Sequence, residues 1–293
     1  MEIIGKVLGI NTSDGLFNIL VEDSAKKQYN IKWEKEPSLE IGCVYCFEVV
    51  VFSKERLSYR LIDIKEISCF DMEKEDAVLR TFLNAAPLSL QELKNELYCR
   101  INAIQSPVIA AITKGLITRY EKAFLLYPAA SRMHHSYVGG LAYHCLGMLK
   151  LADAFIANYD YLNKDYLYAG ILLHDIGKVV ELSGPQNTKY TLEGQLLGHL
   201  VIGAMAIQEE AIKLGLADHK EVLMLKHLLI SHHGQPQYGA AKKPATPEAL
   251  ALWYMDTLDS KFRVLGEELE KTEAGTYTDT IGVLDKMKIY KEK

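Results

Sequence analysis

The hydrophobic pattern of the chain changes once, near residue 70, from short segments typical of β-strands to the longer periodicity of helices. Before that point, apolar segments of strand length alternate with turn-rich stretches such as 11–15 and 37–42. The segments are IIGKVLGI, GLFNILVED, QYNIKW, CVYCFEVVVF and LSYRLIDIKEI. Five short strands within about 70 residues predict a small closed barrel, with the five-stranded OB fold as the leading candidate.

The rest of the chain is predicted to be helical throughout. Ser89 and Glu92 form a capping box, and Ser106 is an N-cap before Pro107 at the first helical position. We place helices near 73–85, 90–104, 107–126, 136–158, 165–181, 191–214, 218–231 and 246–270. The sequence therefore predicts an α+β multidomain protein, in which an OB-like β-barrel is followed by an all-α domain.

Composition excludes several classes of protein. The 293 residues are 49% hydrophobic and 24% charged, as expected of a soluble globular protein, and the 5 scattered cysteines indicate reduced thiols rather than a disulfide framework. No apolar run has the length of a membrane span, and the N-terminus lacks the pattern of a signal peptide, so we predict a cytoplasmic protein without a membrane partner. Because the formal net charge is -5, any contact with nucleic acid is expected to be local or carried by metal.

Histidine and aspartate are the candidate functional residues. All 9 histidines lie after residue 130. The sharpest motif is LLHDIGK, in which His174 and Asp175 end an apolar helical run and are followed by Gly177 and Lys178. An ionised aspartate is costly to bury there without a cation beside it. Four further apolar helices carry such residues at positions that point into the core: His144, His199, His232, His233 and Asp256.

The combination of these residues predicts a metal site, although no single one does. A lone histidine in an apolar helix is more often a core residue hydrogen-bonded to a carbonyl, and His219 and His227 are expected to be structural or exposed. Seven buried imidazoles and carboxylates on five helices need a shared partner, however. A pair of divalent ions supplies one, because these donors match the preferences of Mn, Fe, Co, Ni or Zn. Asp175, central in the set, is the candidate for bridging the two ions.

The motifs resemble those of a known superfamily. The order of His144, His174-Asp175 and Asp256 is similar to the H…HD…D signature of HD-domain phosphohydrolases, an all-α fold whose members cleave phosphate esters with bound metal. The additional histidines resemble the branch that holds two metals. The segments HHSYVGGLAYH, HDIGK and SHHGQPQYGA, with the preceding OB-like region, make nearly the whole chain similar to the YhaM family of bacterial 3′-5′ exoribonucleases.

That resemblance implies a division of labour along the chain. Residues 1–70 would be the barrel that binds single-stranded nucleic acid, 71–130 a helical connector, and 131–293 the HD phosphohydrolase domain. The implied activity is that of a metal-dependent phosphodiesterase, a 3′-5′ exoribonuclease that acts on single-stranded RNA, with single-stranded DNA as a further substrate, by attack of a metal-activated water.

The resemblance also implies roles for individual residues. One ion would be held by His144, His174, Asp175 and Asp256, and the other by Asp175, His199, His232 and His233. Mn²⁺ is the expected metal, with Fe, Co, Ni, Zn and Mg as alternatives. Lys178 is expected to contact the substrate phosphate as a catalytic point charge, the alternative being an exposed lysine at a helix end. Arg132 and His135 are candidate contacts to the substrate phosphate.

Two other functions stay open. The first is an HD enzyme that hydrolyses nucleotides or cyclic nucleotides; the two-metal cyclic-dinucleotide phosphodiesterases carry HHE and a GYP element, whereas this chain reads HHGQPQYG. The second is an OB-fold module that binds nucleic acid and has only a structural metal, which is disfavoured because structural sites are usually closed four-ligand cages.

The role of the barrel also stays open. Its sequence contains more acidic than basic residues, unlike a positively charged nucleic-acid groove. Its aromatic side chains therefore have two readings, base stacking or barrel core: Phe17, Tyr29, Trp33, Phe52 and Tyr59. The alternative is a role in protein contacts or assembly, and the sequence leaves open whether the chain forms a homo-oligomer.

Overall fold

A computed structural model describes residues 1–13, 15–53, 58–130 and 137–293. The chain divides into two compact units. The first comprises Met1–Ala85 and the loop Gly184–Thr188, and the second comprises Ala86–Ser183 and Lys189–Lys293.

The first unit contains a closed five-stranded barrel, as predicted. The strands are β1 (Glu2–Ser13), β2 (Leu16–Glu22), β3 (Gln28–Trp33), β4 (Val44–Ser53) and β5 (Ser58–Glu66). Their order around the barrel is β1, β2, β3, β5, β4, with β3 and β5 parallel and the other pairs antiparallel. This order is that of the OB-like barrel expected from the sequence.

Side-chain alternation along the strands builds the barrel core. On β2, Ile19 and Val21 are fully buried, whereas Leu20 between them is exposed. On β3, Ile31 is buried and the neighbouring Lys32 is directed outward, toward the ring of Phe52. Successive residues of a strand point to opposite faces of the sheet, so the period of two in the sequence fixes which side chains fill the interior.

Ten helices are described. They are α1 (Met72–Phe82), α2 (Leu90–Asn102), α3 (Pro107–Arg119), α4 (Glu121–Leu126), α5 (Gly140–Asn158), α6 (Lys164–Leu173), α7 (Lys178–Glu181), α8 (Leu192–Lys213), α9 (Lys220–Ser231) and α10 (Pro247–Lys271). The first belongs to the barrel unit and the others form the second unit. The capping box of Ser89 with Glu92 and the Ser106 cap before Pro107 are both present.

Four predicted helices differ from the structure. The helix expected over 191–214 is interrupted at Gly198, which has a non-helical backbone conformation. The helix expected over 107–126 is divided at Tyr120, and the helix expected over 165–181 is divided by the turn 174–177. The helix expected from residue 136 begins at Gly140, because Gly139 adopts a left-handed φ of 75° that an ordinary residue avoids. Apolar residues at helical spacing lie on both sides of each break, so periodicity alone does not reveal the breaks.

The core of the second unit lies around α5 and α6. Every residue of α6 from Leu167 to Leu173 is buried, as is most of α5 on the side facing it. Helices that are apolar on nearly every side belong in the centre of a domain rather than on its surface. Within the described ranges, no helix is both long and apolar enough to cross a bilayer.

The C-terminal stretch is ordered into a small hairpin. Strand β6 (Thr276–Tyr277) pairs with β7 (Tyr290–Lys291), and the rings of Tyr277 and Tyr290 are in contact. Ile281 and Leu284 are buried. These two aliphatic side chains anchor the segment, whereas Tyr277 and Tyr290 are exposed.

Candidate metal centre

The structure brings the seven predicted ligands together in the second unit. Each comes from a helix or from the residues directly after one: His144 on α5, His174 and Asp175 after α6, His199 on α8, His232 and His233 after α9, and Asp256 on α10. Three groups among them have donor atoms within 4.8 Å of one another: His144, His174 and Asp256; His174, Asp175 and His232; and His199, His232 and His233.

A tight turn carries the His174-Asp175 pair into the interior. Helix α6 is buried up to its last residue, so the two side chains that follow are buried as well, at 0% and 3% exposure. The backbone N–H of Lys178 donates to the carbonyl of Asp175 at 2.9 Å, which closes the turn before α7. Gly177 makes this geometry possible, because a Cβ there would lie 2.1 Å from the carbonyl oxygen of His199.

Two histidine rings are oriented by carbonyls of their own helices. Nδ1 of His174 donates to the carbonyl oxygen of Ile171 at 2.7 Å, and Nδ1 of His232 donates to that of Leu229 at 2.7 Å. A carbonyl oxygen only accepts, so the hydrogen of each neutral ring is on Nδ1 and Nε2 keeps its lone pair. Metal-binding histidines are usually held in this way through the second ring nitrogen.

Two further rings are oriented by carboxylates that the sequence analysis did not identify. Nδ1 of His144 lies 2.8 Å from Oδ2 of Asp259, and Nδ1 of His199 lies 3.1 Å from Oε1 of Glu181. Asp259 follows Asp256 by one helical turn, and this spacing is visible in the sequence. Glu181 offers no comparable signal, because its contact depends on how α7 packs against α8.

Asp175 directs its two oxygens to different neighbours. Oδ2 lies 3.2 Å from Nε2 of His174 and 2.7 Å from Nζ of Lys178. Oδ1 lies 3.4 Å from Nε2 of His199 and 3.7 Å from Nε2 of His232. One oxygen of Asp175 therefore faces His174, and the other faces His199 and His232.

Two buried atoms of the centre are suited to bind a divalent cation. Within the described part of the chain, Oδ1 of Asp175 and Nε2 of His174 are buried and have no hydrogen-bond partner. Such atoms are costly in a protein interior unless something binds them. Ligands about 2.1 Å from one ion lie about 3 to 4 Å from each other, which matches the separations in this cluster.

The charge states also suit metal ligation. Burial by itself would raise the pKa of Asp175, but Lys178 and His174 hold it well below its usual range. Burial lowers the pKa of His232 well below its ordinary value, and His174 lowers it further. Burial would likewise lower the pKa of His144, but hydrogen bonds to Asp256 and Asp259 raise it to about 9. A cation would displace the proton that these carboxylates hold on His144, because metal binding and protonation compete.

A cavity of about 210 Å³ opens onto this centre. Its wall includes Asp175, His233 and Asp256 together with Lys178 and Ser260. Among the described cavities it is the one that the carboxylates and imidazoles of the cluster line. The ammonium group of Lys178 lies on this wall, 2.7 Å from Oδ2 of Asp175.

Four other residues considered in the sequence are not among the seven predicted ligands. Arg132 and His135, the candidate phosphate contacts, lie outside the described residues. His219 is half exposed, and Nε2 of His227 accepts the backbone N–H of Ala245 at 3.0 Å. These two histidines take no part in the cluster, in agreement with the structural or exposed role predicted for them.

The aromatic residues of the barrel separate into two kinds. Tyr29 is buried at 8% exposure and donates its hydroxyl to Asp23, so it belongs to the core. Phe52 is 51% exposed, and Nζ of Lys32 lies 5.4 Å from its ring centroid. The other three are partly buried: Phe17, Trp33 and Tyr59.

Comparison with known proteins agrees with this site. The model of the HD domain family matches residues 141–261, which contain all seven clustered residues and imply divalent metal binding. The chain is 43% identical over 217 residues to the 3′-5′ exoribonuclease YhaM of Geobacillus sp. (strain WCH70), covering 74% of this chain and 67% of the relative. It is 41% identical over 236 residues to the protein of that name from Bacillus subtilis (strain 168), covering 80% and 74%. No solved structure matches the chain.

Proposed function

The chain belongs to the YhaM family of 3′-5′ exoribonucleases, and from that premise we propose that it shortens single-stranded RNA from the 3′ end by metal-dependent hydrolysis of phosphodiester bonds. The observation that carries the proposal is the convergence of imidazole Nε2 atoms and carboxylate oxygens on the wall of one cavity beside a lysine. Metal-dependent hydrolysis of a phosphate diester uses sites for cations and room for the phosphate, and a positive side chain assists it.

The proposed ligand sets follow the clusters. His144, His174 and Asp256 would hold one ion, His199, His232 and His233 the other, and Asp175 would contribute an oxygen to each. We propose Mn²⁺ because mixed nitrogen and carboxylate donors suit it, with Fe, Co, Ni, Zn and Mg as the ions to compare. Two such ions lower the pKa of a water and neutralise charge that develops on the phosphate.

The protein's own residues position the substrate. Lys178 presents its ammonium group on the cavity wall, 2.7 Å from Oδ2 of Asp175, and would attract a phosphate oxygen as a point charge. The two oxygens of Asp175 are fixed in opposite directions by the surrounding rings. In this proposal Arg132 and His135 keep their predicted role as contacts to the substrate phosphate.

A polarity assay tests the proposed activity. With Mn²⁺ present, single-stranded RNA labelled at its 5′ end should yield a ladder of progressively shorter labelled products, and a 3′-terminal phosphorothioate linkage should slow the reaction. Single-stranded DNA, nucleotides and cyclic dinucleotides serve as comparison substrates. If free nucleotides or cyclic dinucleotides are consumed while the RNA stays intact, the chain is another kind of HD phosphohydrolase.

We further propose that the barrel binds the RNA upstream of the cleaved end, with Phe52 as a stacking platform beside Lys32. Stacking on an aromatic side chain contributes about 1 to 3 kcal/mol per base. Phe52→Ala should therefore weaken binding of a long single-stranded RNA by about 5- to 150-fold at fixed salt. Hydrolysis of bis(p-nitrophenyl) phosphate should be unchanged, because so small a substrate needs only the metal centre.

The matched control is Ile41→Ala, which removes another exposed apolar side chain of the barrel unit. It should leave RNA affinity unchanged, as measured by fluorescence anisotropy. Equal RNA affinity for Phe52→Ala and the unaltered protein would point to the alternative in which the acidic barrel serves for protein contacts.

A further inference from the structure

We infer that Glu181 is a positioning residue that builds the second ion site by fixing His199. The inference rests on the proposed function, since it concerns one of the two proposed ion sites. Glu181 is not a candidate ligand itself; its carboxylate contacts His199 from the side opposite the centre.

The backbone of α8 is interrupted next to this histidine. Gly198 has φ 71° and ψ 157°, a conformation that other residues avoid. The break removes the normal helical acceptor for the backbone N–H of His199. That N–H donates instead to Oε1 of Glu181 at 3.0 Å, so the carboxylate caps the second segment of the helix.

The same oxygen also orients the ring. Nδ1 of His199 lies 3.1 Å from Oε1 of Glu181, and one carboxylate oxygen thus accepts from both the backbone and the side chain of one residue. With Nδ1 held in this way, Nε2 faces the centre, 3.4 Å from Oδ1 of Asp175 and 3.4 Å from Nε2 of His233. Two imidazole Nε2 atoms this close, facing one carboxylate oxygen, are arranged for a shared cation.

Glu181 is held in place independently of the ion. It is 7% exposed, its N–H donates to the carbonyl of Gly177 at 2.9 Å, and its own carbonyl accepts from the N–H of Thr191 at 2.9 Å. Gly194 lets α8 pass close by, since a Cβ there would lie 2.5 Å from the carbonyl oxygen of Glu181. An ionised carboxylate is costly to bury unless its hydrogen bonds are satisfied, and the described partners of this one are both atoms of His199.

The chain offers a matched control in the first ion site. Asp259 contacts Nδ1 of His144 as Glu181 contacts Nδ1 of His199. Each proposed ion site therefore has one carboxylate behind one of its histidines. Removing the Asp259 carboxylate should mainly weaken binding of the ion at His144, and removing the Glu181 carboxylate should mainly weaken binding of the ion at His199.

Counting bound Mn²⁺ by electron paramagnetic resonance tests the inference on the full chain. The unaltered protein should bind two ions per chain and give the spin-coupled signal of a metal pair. Loss of an outer hydrogen-bond partner typically weakens metal binding about 10- to 100-fold. Glu181→Ala should weaken one ion by this amount and abolish the coupled signal at limiting Mn²⁺, whereas Glu181→Gln, whose amide oxygen can still accept both hydrogen bonds, should keep part of the affinity.

A double-mutant cycle identifies the affected site. Adding Glu181→Ala to His199→Ala should cause no further loss of affinity, because both changes act on one ligand. Adding it to His144→Ala should weaken the remaining ion as much as Glu181→Ala does alone. Asp259→Ala should give the reverse pattern. Gly198→Ala, which strains the same break in α8, should weaken the same ion as Glu181→Ala.

The outcomes separate this inference from the proposed function. Fewer than two ions in the unaltered protein would contradict the proposed ion pair. Two ions in the unaltered protein, with unchanged affinity for both in the folded Glu181→Ala and Gly198→Ala variants, would contradict the role of Glu181 alone. Additive effects of Glu181→Ala and His199→Ala would do the same.

Discussion

Asp175→Asn should lower the rate of RNA hydrolysis by at least about 10³-fold while leaving the helical circular dichroism spectrum unchanged. Asparagine has nearly the same shape, so the buried turn after α6 can keep its packing. It lacks the negative charge that both groups of imidazoles face, since Oδ1 and Oδ2 of Asp175 point toward different histidines. Without that charge, the proposed site no longer has a carboxylate that two cations can share.

Lys178→Ala is the matched control for this experiment. The ammonium group of Lys178 pairs with the Asp175 carboxylate, but it has no lone pair with which to bind a metal ion. We expect Lys178→Ala to slow turnover by about 10- to 100-fold, because the substrate phosphate loses one contact with a positive charge. The number of bound Mn²⁺ ions should stay the same. Near-normal activity of Asp175→Asn would show that the ligand assignment is wrong, whatever Lys178→Ala does.

Removal of divalent cations with a chelator should abolish hydrolysis, and Mn²⁺ should restore it and raise the melting temperature. In the cluster, the Nε2 atoms of His199 and His233 face each other at 3.4 Å, and Oδ1 of Asp175 is buried without a hydrogen-bond partner among the residues that the structure describes. An ion that binds this folded centre but not the unfolded chain stabilises the fold by about 2.7 kcal/mol at 100 times its dissociation constant. A shift of several degrees is therefore expected.

The measurement is a thermal melt and a rate assay on the same chelated sample, repeated with each of Mn²⁺, Fe²⁺, Co²⁺, Ni²⁺, Zn²⁺ and Mg²⁺. The triple variant His199→Ala, His232→Ala, His233→Ala serves as the control, and its melting temperature should respond less to the ions. Equal melting temperatures with and without every ion, together with full activity in chelator, would refute the metal centre.

The barrel and the positions of most helices could be predicted from the sequence because their signals are local. Ile19, Leu20 and Val21 alternate between the inside and the outside of the barrel, and this alternation involves only adjacent residues. The Ser89 capping box likewise involves residues three apart. Patterns between residues so close along the chain can be recognised without knowledge of the fold.

The breaks within helices were not predictable in the same way. Apolar residues at helical spacing lie on both sides of Tyr120 and of the turn after His174, and the few polar residues between them also fit a continuous helix. At Gly198, glycine is tolerated inside many helices, and only the packing of α8 against Gly177 and Glu181 explains why the helix opens there.

The sequence by itself determined which residues are candidates for the metal centre, because seven imidazoles and carboxylates in apolar helices need a common partner. Only the tertiary structure decided how each ring is held. The carboxylates behind His144 and His199 lie 115 and 18 residues away along the chain, and local periodicity carries no information over such separations. Packing of α5 against α10 and of α7 against α8 sets those distances, and it thereby directs each Nε2 atom toward the centre.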